Sequence, residues 1–190
     1  MGEAGDTILW RPSPERIERA RLTAFARAVG LGPEYPALHA WSVAERAAFW
    51  SAIWERCGVV GERGERALVD GERMPGARFF PEARLSFAEN LLGGAQEGEA
   101  LVYVCEDQPR RALSWPELRE AVARVRGGQR AAGVRPGDRV AALLPNVPEA
   151  VIGMLATSSL GAVWSSCSPD FGTPGVLDRF GQIGPKVLLY

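Results

Sequence analysis

Between residues 98 and 190, short apolar runs alternate with helix signals, and this alternation limits the fold more than any other feature of the chain. The runs are LVYVC, RVAALL, AVWSS and KVLLY. Each has strand length and favours Val, Leu and aromatic residues. Between them lie SWPELREAVARVRGGQRAAG, PNVPEAVIGMLATSSLG and VLDRFGQIG, whose apolar residues recur at helical spacing and whose ends are marked by Pro and Gly. In the first helix Ser114 and Glu117 form a capping box, Leu118, Ala121, Val122 and Val125 make an apolar stripe, and Gly127 and Gly128 weaken the far end. EDQPRR reads as a turn and ALS as a short return strand. The order β-α-β-α-β-α-β predicts a parallel sheet with helices on its faces.

The first 97 residues have a different texture. SPERIERARLTAFARAV predicts one helix, capped by Ser13 with Pro14 in its first turn and with Leu22, Phe25 and Val29 sharing a face. GLGP stops it. SVAERAAFWSAIWERCG predicts a second helix, opened by a capping box of Ser42 and Glu45. Phe49, Ile53 and Cys57 fall on one stripe, with Trp50 and Trp54 beside them. Those tryptophans suit a planar ligand, but packing on a larger body is the simpler reading. ERGERALVDGERMPGARFFPEA has no clean period and reads as connecting loop. SFAENLLG repeats the capping pattern with Ser86 and Glu89 and closes at Gly93. The polar join GGAQEGEA sets an expected boundary between a helical region, 1–97, and an α/β region, 98–190.

Composition removes several functional classes. Lys+Arg of 22 against Asp+Glu of 23 gives a formal charge of -1, so no strong field draws in nucleic acid or acidic lipid. A content of 46% hydrophobic and 24% charged residues fits a soluble globule. The most apolar stretch, VAALLPNVPEAVIGMLATSSLGAVW, is broken by Pro145, Asn146, Pro148 and Glu149, whereas a membrane helix needs roughly 20 mostly apolar residues. The opening MGEAGDTILW carries Glu3 and Asp6 and no basic start, unlike a secretory signal, which predicts a cytoplasmic protein. Cys57, Cys105 and Cys167 lie far apart and suggest neither a zinc site nor a disulfide framework. The chain stops at Tyr190 inside an apparent strand, from which we expect the front of a longer polypeptide, with the remainder of that polypeptide as partner.

The segment SSCSPDFG, residues 165–172, is the candidate site. Open parallel sheets bind ligands beyond the carboxyl ends of their strands, and a following helix start offers unpaired amides to an anion. Cys167 lacks a readable base: the only histidine, His39, sits in the helical region, so packing is expected of the thiol rather than nucleophilic attack. A serine triad fails for the same reason, and no G-x-S-x-G elbow occurs. Asp170 has the chemistry of an acid, base or metal ligand, yet Asp178 is its nearest following carboxylate, so capping or bracing the loop is the simpler role. Neither G-x-x-x-x-G-K-[ST] nor G-x-G-x-x-G is present. The residues alone reach the front part of an α/β nucleotide- or metabolite-binding protein.

Several segments together carry a resemblance. WSVAERAAFWSAIWERCG, PGARFFPEARLSFAENLL, the run from RRALSWPELREAV to AVWSSCSPDFG, and GVLDRFGQIGPKVLLY resemble the amino-terminal part of the acetoacetyl-CoA synthetase family. That family belongs to the adenylate-forming superfamily, with the acyl-CoA synthetases and firefly luciferase. The likeness runs from about Trp10 to Tyr190; V-x-P-G-D-R-V-A-x-x-L-P-N-x-P-E-A-V marks the superfamily, and W-S-S-C-S-P-D-F-G points to the acetoacetyl branch. It implies a helical amino-terminal region followed by the first β-α units of the large adenylate-forming domain, with its parallel sheet incomplete. It also implies an acid–thiol ligase that uses ATP, CoA and Mg2+ to convert acetoacetate to acetoacetyl-AMP and then acetoacetyl-CoA. The family's hydroxyl- and glycine-rich phosphate loop, ribose-binding aspartate and mobile-domain lysine would follow Tyr190, so no catalytic residue is expected in this chain. One piece carries over: the loop matching Ser168, Pro169 and Asp170 borders CoA in acetyl-CoA synthetases, where glycines usually replace Pro169 and Asp170. The alternatives are a non-catalytic binding module from a truncated gene and a ligase for another short acid.

Overall fold

The computed structural model describes residues 9–94 and 96–190. The acidic opening with Glu3 and Asp6, and Ala95 of the polar join, lie outside the described residues. The chain divides into two compact units, one up to Ala83 and one from Arg84.

The first unit is helical. Its elements are α1 (Pro14–Glu18), α2 (Arg21–Ala28), α3 (Tyr35–Ala44) and α4 (Arg46–Arg56). The Arg16 amide donates to the Ser13 hydroxyl at 3.2 Å, so the predicted cap forms. The single helix expected after Ser13 is broken, however: Arg19 caps α1 and an extended Ala20 opens α2. The Thr23 hydroxyl donates to the Ile17 carbonyl at 2.7 Å and closes the corner between them.

The Ser42–Glu45 capping box also does not form. A helix already begins at Tyr35, with Glu34 as its cap and Pro36 in its first turn. Ser42 is therefore inside α3, where its hydroxyl donates back to the His39 carbonyl at 2.8 Å. Glu45 becomes the break between α3 and α4. Phe25, Ala26 and Leu38 form the buried centre, ringed by Trp41, Phe49 and Ile53. Phe49 meets Phe25 edge-on, with ring centroids 5.9 Å apart. Trp50 and Trp54 pack on Phe79 and Phe80, so their faces serve aromatic packing. The segment read as loop contains one two-residue pairing, β1 (Leu68–Val69) with β2 (Arg78–Phe79), antiparallel.

The second unit begins with α5 (Phe87–Leu92), capped by the Ser86 hydroxyl. Then come β3 (Glu99–Tyr103), β4 (Arg111–Ser114), α6 (Trp115–Ala131), β5 (Arg139–Leu143), α7 (Pro148–Ser159), β6 (Val163–Cys167), a 3-10 turn (Pro169–Phe171), α8 (Gly172–Ile183) and β7 (Val187–Leu189). The Ser114–Glu117 capping box is complete, and α6 runs on through Gly127 and Gly128. The alternation predicted from sequence is present, with one correction. β3 does not join the parallel sheet but pairs antiparallel with β4 as a separate hairpin. Seven residues separate the two strands, too few for the crossover that parallel pairing demands. Val102 accordingly stands half exposed, not buried as a central strand would require.

The parallel sheet has the order β6-β5-β7. Val140, Ala141 and Ala142 of the central strand are fully buried at 0% exposure, as a strand covered on both faces must be. One layer is formed by α6 and α7 with α5, where Ala88, Leu118, Val122, Ile152, Leu155 and Ala156 make the main core. α8 adds Phe180 to a second cluster with Ala141 and Cys167. Gly153 lets α7 come down on the sheet: a Cβ there would lie 2.8 Å from the Trp164 ring and 3.1 Å from Leu189. Arg139 ties the end of α8 to β5, its Nε donating to the Ile183 carbonyl at 2.8 Å.

Candidate functional site

Parallel register sets the geometry of the candidate site. Leu143 pairs with Cys167, so β5 and β6 end side by side and their outgoing loops leave from one edge. The first loop, residues 144–147, leads into α7 through Pro148. The second is Ser168-Pro169-Asp170-Phe171, the 3-10 turn that feeds α8. This is the edge where open parallel sheets take ligands.

Ser168 caps the turn. Its hydroxyl accepts from the Asp170 amide at 3.3 Å and donates to the Asp170 carboxylate at 2.7 Å. Asp170 thus folds back on its own loop and braces it, while Pro169 presets the first turn position. Gly172 follows with φ +62°, a conformation open to glycine at little strain, and this swings the chain from the turn into α8. Cys167 ends β6 against Ala141 and Phe180 and is buried. The thiol is a packing group, and the exposed residues of the segment are Ser166 and Pro169 to Gly172.

A further pair, not singled out from the sequence, completes this end. The Arg179 guanidinium lies over the Phe171 ring, 3.9 Å from its centroid, and donates to the Gly175 carbonyl at 3.2 Å. A Cβ on Gly175 would stand 3.4 Å from both the Arg179 Nη1 and the Phe171 Cβ, so the small residue leaves the stack its room. The signal was present in the spacing: Phe171, Gly175 and Arg179 recur every four residues, which puts them on one helix face.

At the neighbouring loop, Glu149 in the first turn of α7 meets Arg111 of β4 at 2.6 Å. The hydrogen bond from Arg111 holds the Glu149 carboxyl below the usual carboxylate range. A groove of about 200 Å³ runs beside it, lined by β3 residues Leu101 to Tyr103 and by Val104, Asn146, Val147, Pro148 and Val151. His39, the other residue weighed for chemistry, is in α3 of the helical unit beside Tyr35, with ring centroids 5.9 Å apart. Among the described residues no three His, Cys, Asp or Glu side chains gather to hold a metal ion. No helix among the described residues is long and apolar enough to cross a membrane.

Comparison with known proteins agrees with this architecture. The AMP-binding enzyme model matches residues 92–190, and the acetyl-coenzyme A synthetase N-terminus model matches residues 35–91. An acetoacetyl-coenzyme A synthetase of Rhizobium meliloti (strain 1021) is 55% identical over 95% of this chain and 29% of its own length. A malonamoyl-CoA synthetase of Penicillium aethiopicum is 38% identical over 97% of this chain and 27% of its own length. The solved acetoacetyl-CoA synthetase from Streptomyces lividans superposes with a TM-score of 0.86 at 47% identity, covering 94% of this chain and 29% of that one. The chain spans less than a third of the length of these relatives. A parallel sheet ending in two adjacent loops, with the helices that cover it, is the part that the first of these models matches, and the chain belongs to the AMP-binding enzyme family.

Proposed function

We propose that this chain is the amino-terminal part of an AMP-forming ligase that activates acetoacetate with ATP and passes the acyl group to CoA. The observation that carries the reading is the 55% identity to an acetoacetyl-coenzyme A synthetase over almost the whole chain. In the first step a carboxylate oxygen of acetoacetate attacks the α-phosphorus of ATP, forming acetoacetyl-AMP and releasing pyrophosphate. In the second step the CoA thiol attacks the activated carbonyl, loses its proton and expels AMP. The chain's own contribution is the strand-end loop Ser168-Pro169-Asp170, read as one wall of the CoA entrance. Its support is the position at the carboxyl edge and the Ser168–Asp170 hydrogen bonds internal to the loop.

The region 1–97 is read as the amino-terminal segment of the ligase and 98–190 as the start of its adenylation domain, in a cytoplasmic enzyme. The phosphate loop, ribose-binding aspartate and mobile-domain lysine of the family are assigned to sequence beyond this chain. The 190 residues alone should therefore show no acetoacetate-dependent exchange of pyrophosphate into ATP, while a ligase of the relatives' length carrying them should show it. Exchange by the isolated chain would overturn the division of labour. A second reading, a ligase for another short acid, is favoured by the 38% identity to a malonamoyl-CoA synthetase. Exchange driven by malonamate but not acetoacetate would decide for it.

A further inference from the structure

We propose that Arg179, whose guanidinium carbon sits over the exposed ring of Phe171, is the anion-recognising group of the proposed CoA entrance and takes a phosphate of the coenzyme. This inference rests on reading the Ser168–Asp170 loop as a wall of that entrance.

The geometry favours recognition over surface packing. Phe171 is 48% exposed, at the outer end of the loop. The guanidinium carbon stands 3.9 Å from the ring centroid, a cation–π contact that restrains an otherwise flexible side chain. A guanidinium carries five N–H donors, and the contact with the ring consumes none of them. One nitrogen donates to the Gly175 carbonyl; among the described residues no carboxylate lies within ion-pair distance of the group. The nearest acid in the loop, Asp170, is turned onto Ser168 instead. An arginine held by a ring and a carbonyl beside a strand-end loop, with its remaining donors unspent, suits a phosphate, which accepts charge-assisted N–H bonds. CoA brings phosphates to such an entrance, whereas its pantetheine arm brings none.

The test uses a ligase of the relatives' length that contains this chain, with CoA and pantetheine as alternative acceptors. Arg179→Gln should raise the KM for CoA roughly 10-fold, the usual loss for a hydrogen bond to a charged group. The KM for pantetheine, kcat with saturating CoA, and acetoacetate-dependent pyrophosphate exchange should stay at the parent values. Arg179→Lys should recover part of the affinity, because charge returns without the fork. Phe171→Leu keeps the cation but frees it, and should give a smaller rise confined to CoA. An unchanged KM for CoA overturns the proposal. So does a rise shared equally by CoA and pantetheine, or a loss of exchange, since either would mark Arg179 as structural support. Should Arg179→Gln fail to fold, the Lys and Leu variants decide by the same CoA-against-pantetheine split. Asp170→Arg separates the two readings. If it raises the KM for CoA while the Arg179 variants do nothing, the entrance stands and the assignment of Arg179 falls; if both are silent, both fall.

Discussion

The sheet unit and the helical unit bury their apolar residues by different routes. In the sheet unit, Val140, Ala141, Ala142 and Leu155 are at 0% exposure, and the central strand is enclosed by partners more than 20 residues away in sequence. In the helical unit the deepest hydrophobic side chains are Ala26, Leu38 and Phe25, at 2%, 5% and 7%. Its centre is a run of aromatic contacts, Trp41 and Phe25 on Phe49, then Phe49 on Trp50. Exposed ion pairs fasten its loops: Arg27 with Glu18, Arg66 with Glu82 and Arg46 with Glu72. Such surface pairs contribute little to stability, whereas full burial of one aliphatic side chain contributes about 1.5–3 kcal/mol. The sheet unit therefore holds the concentrated stability, and the helical unit is the softer of the two. A rigid sheet suits the part that positions the strand-end loops.

The strongest attempt to break this contrast is Leu155→Ala. It removes a fully buried side chain from the main core and should cost about 3 kcal/mol, read as a lower midpoint in denaturant and faster amide exchange in α6 and α7. A cost below 1 kcal/mol would mean that the sheet unit is not the close-packed body described. Gly153→Ala should come next, at about 1–3 kcal/mol, because the new methyl meets the Trp164 ring and Leu189 and must displace one of them. A shift in Trp164 fluorescence would accompany the loss.

In the softer unit, Phe49→Leu removes the shared partner of Phe25 and Trp41 and should cost about 1 kcal/mol beyond the lost area. Exchange in α2 and α4 would show it. Ser114→Ala should lower stability by about 1 kcal/mol, the usual loss for a helix cap, with exchange rising at the start of α6.

The smallest expected effect is one of acidity. The Asp138 carboxyl is held below its ordinary value of 3.8 by hydrogen bonds from Lys186 and from the Arg135 amide. A depressed folded pKa contributes stability that is complete above the unfolded value and is lost as pH falls through the folded one. The melting temperature should therefore drop as pH is lowered below about 4, and Asp138→Asn should remove a small part of that dependence. A variant with the full acid dependence of the parent would dismiss this group as a contributor.

Legibility from sequence followed the range of the interactions. Ser114 with Glu117 and Ser86 with Glu89 were readable because a cap is settled within three residues. Ser42 with Glu45 shows the same pattern and fails, because Glu34 and Pro36 start a helix one turn and more upstream and carry Ser42 inside it. The three parallel strands were readable from their apolar runs. Which run would leave the sheet was not written in hydrophobicity; it lay in the short connection between β3 and β4. At the site, the loop was found from its place between a strand and a helix. The bracing of Asp170 by Ser168 agrees with the role expected of it. The Arg179 stack was missed because a glycine interrupts its helical stripe and hides the periodicity that reveals it.

Lys186 is the only lysine in the chain, so reagents that seek primary amines find a single side chain. Its ammonium is held 2.7 Å from the Gly133 carbonyl and 2.9 Å from the Asp138 carboxylate, at the start of β7. Acylation there requires the amine to leave both oxygens first. The rate at which this residue takes a label therefore becomes a clock for how often the last strand lifts from the turn that anchors it.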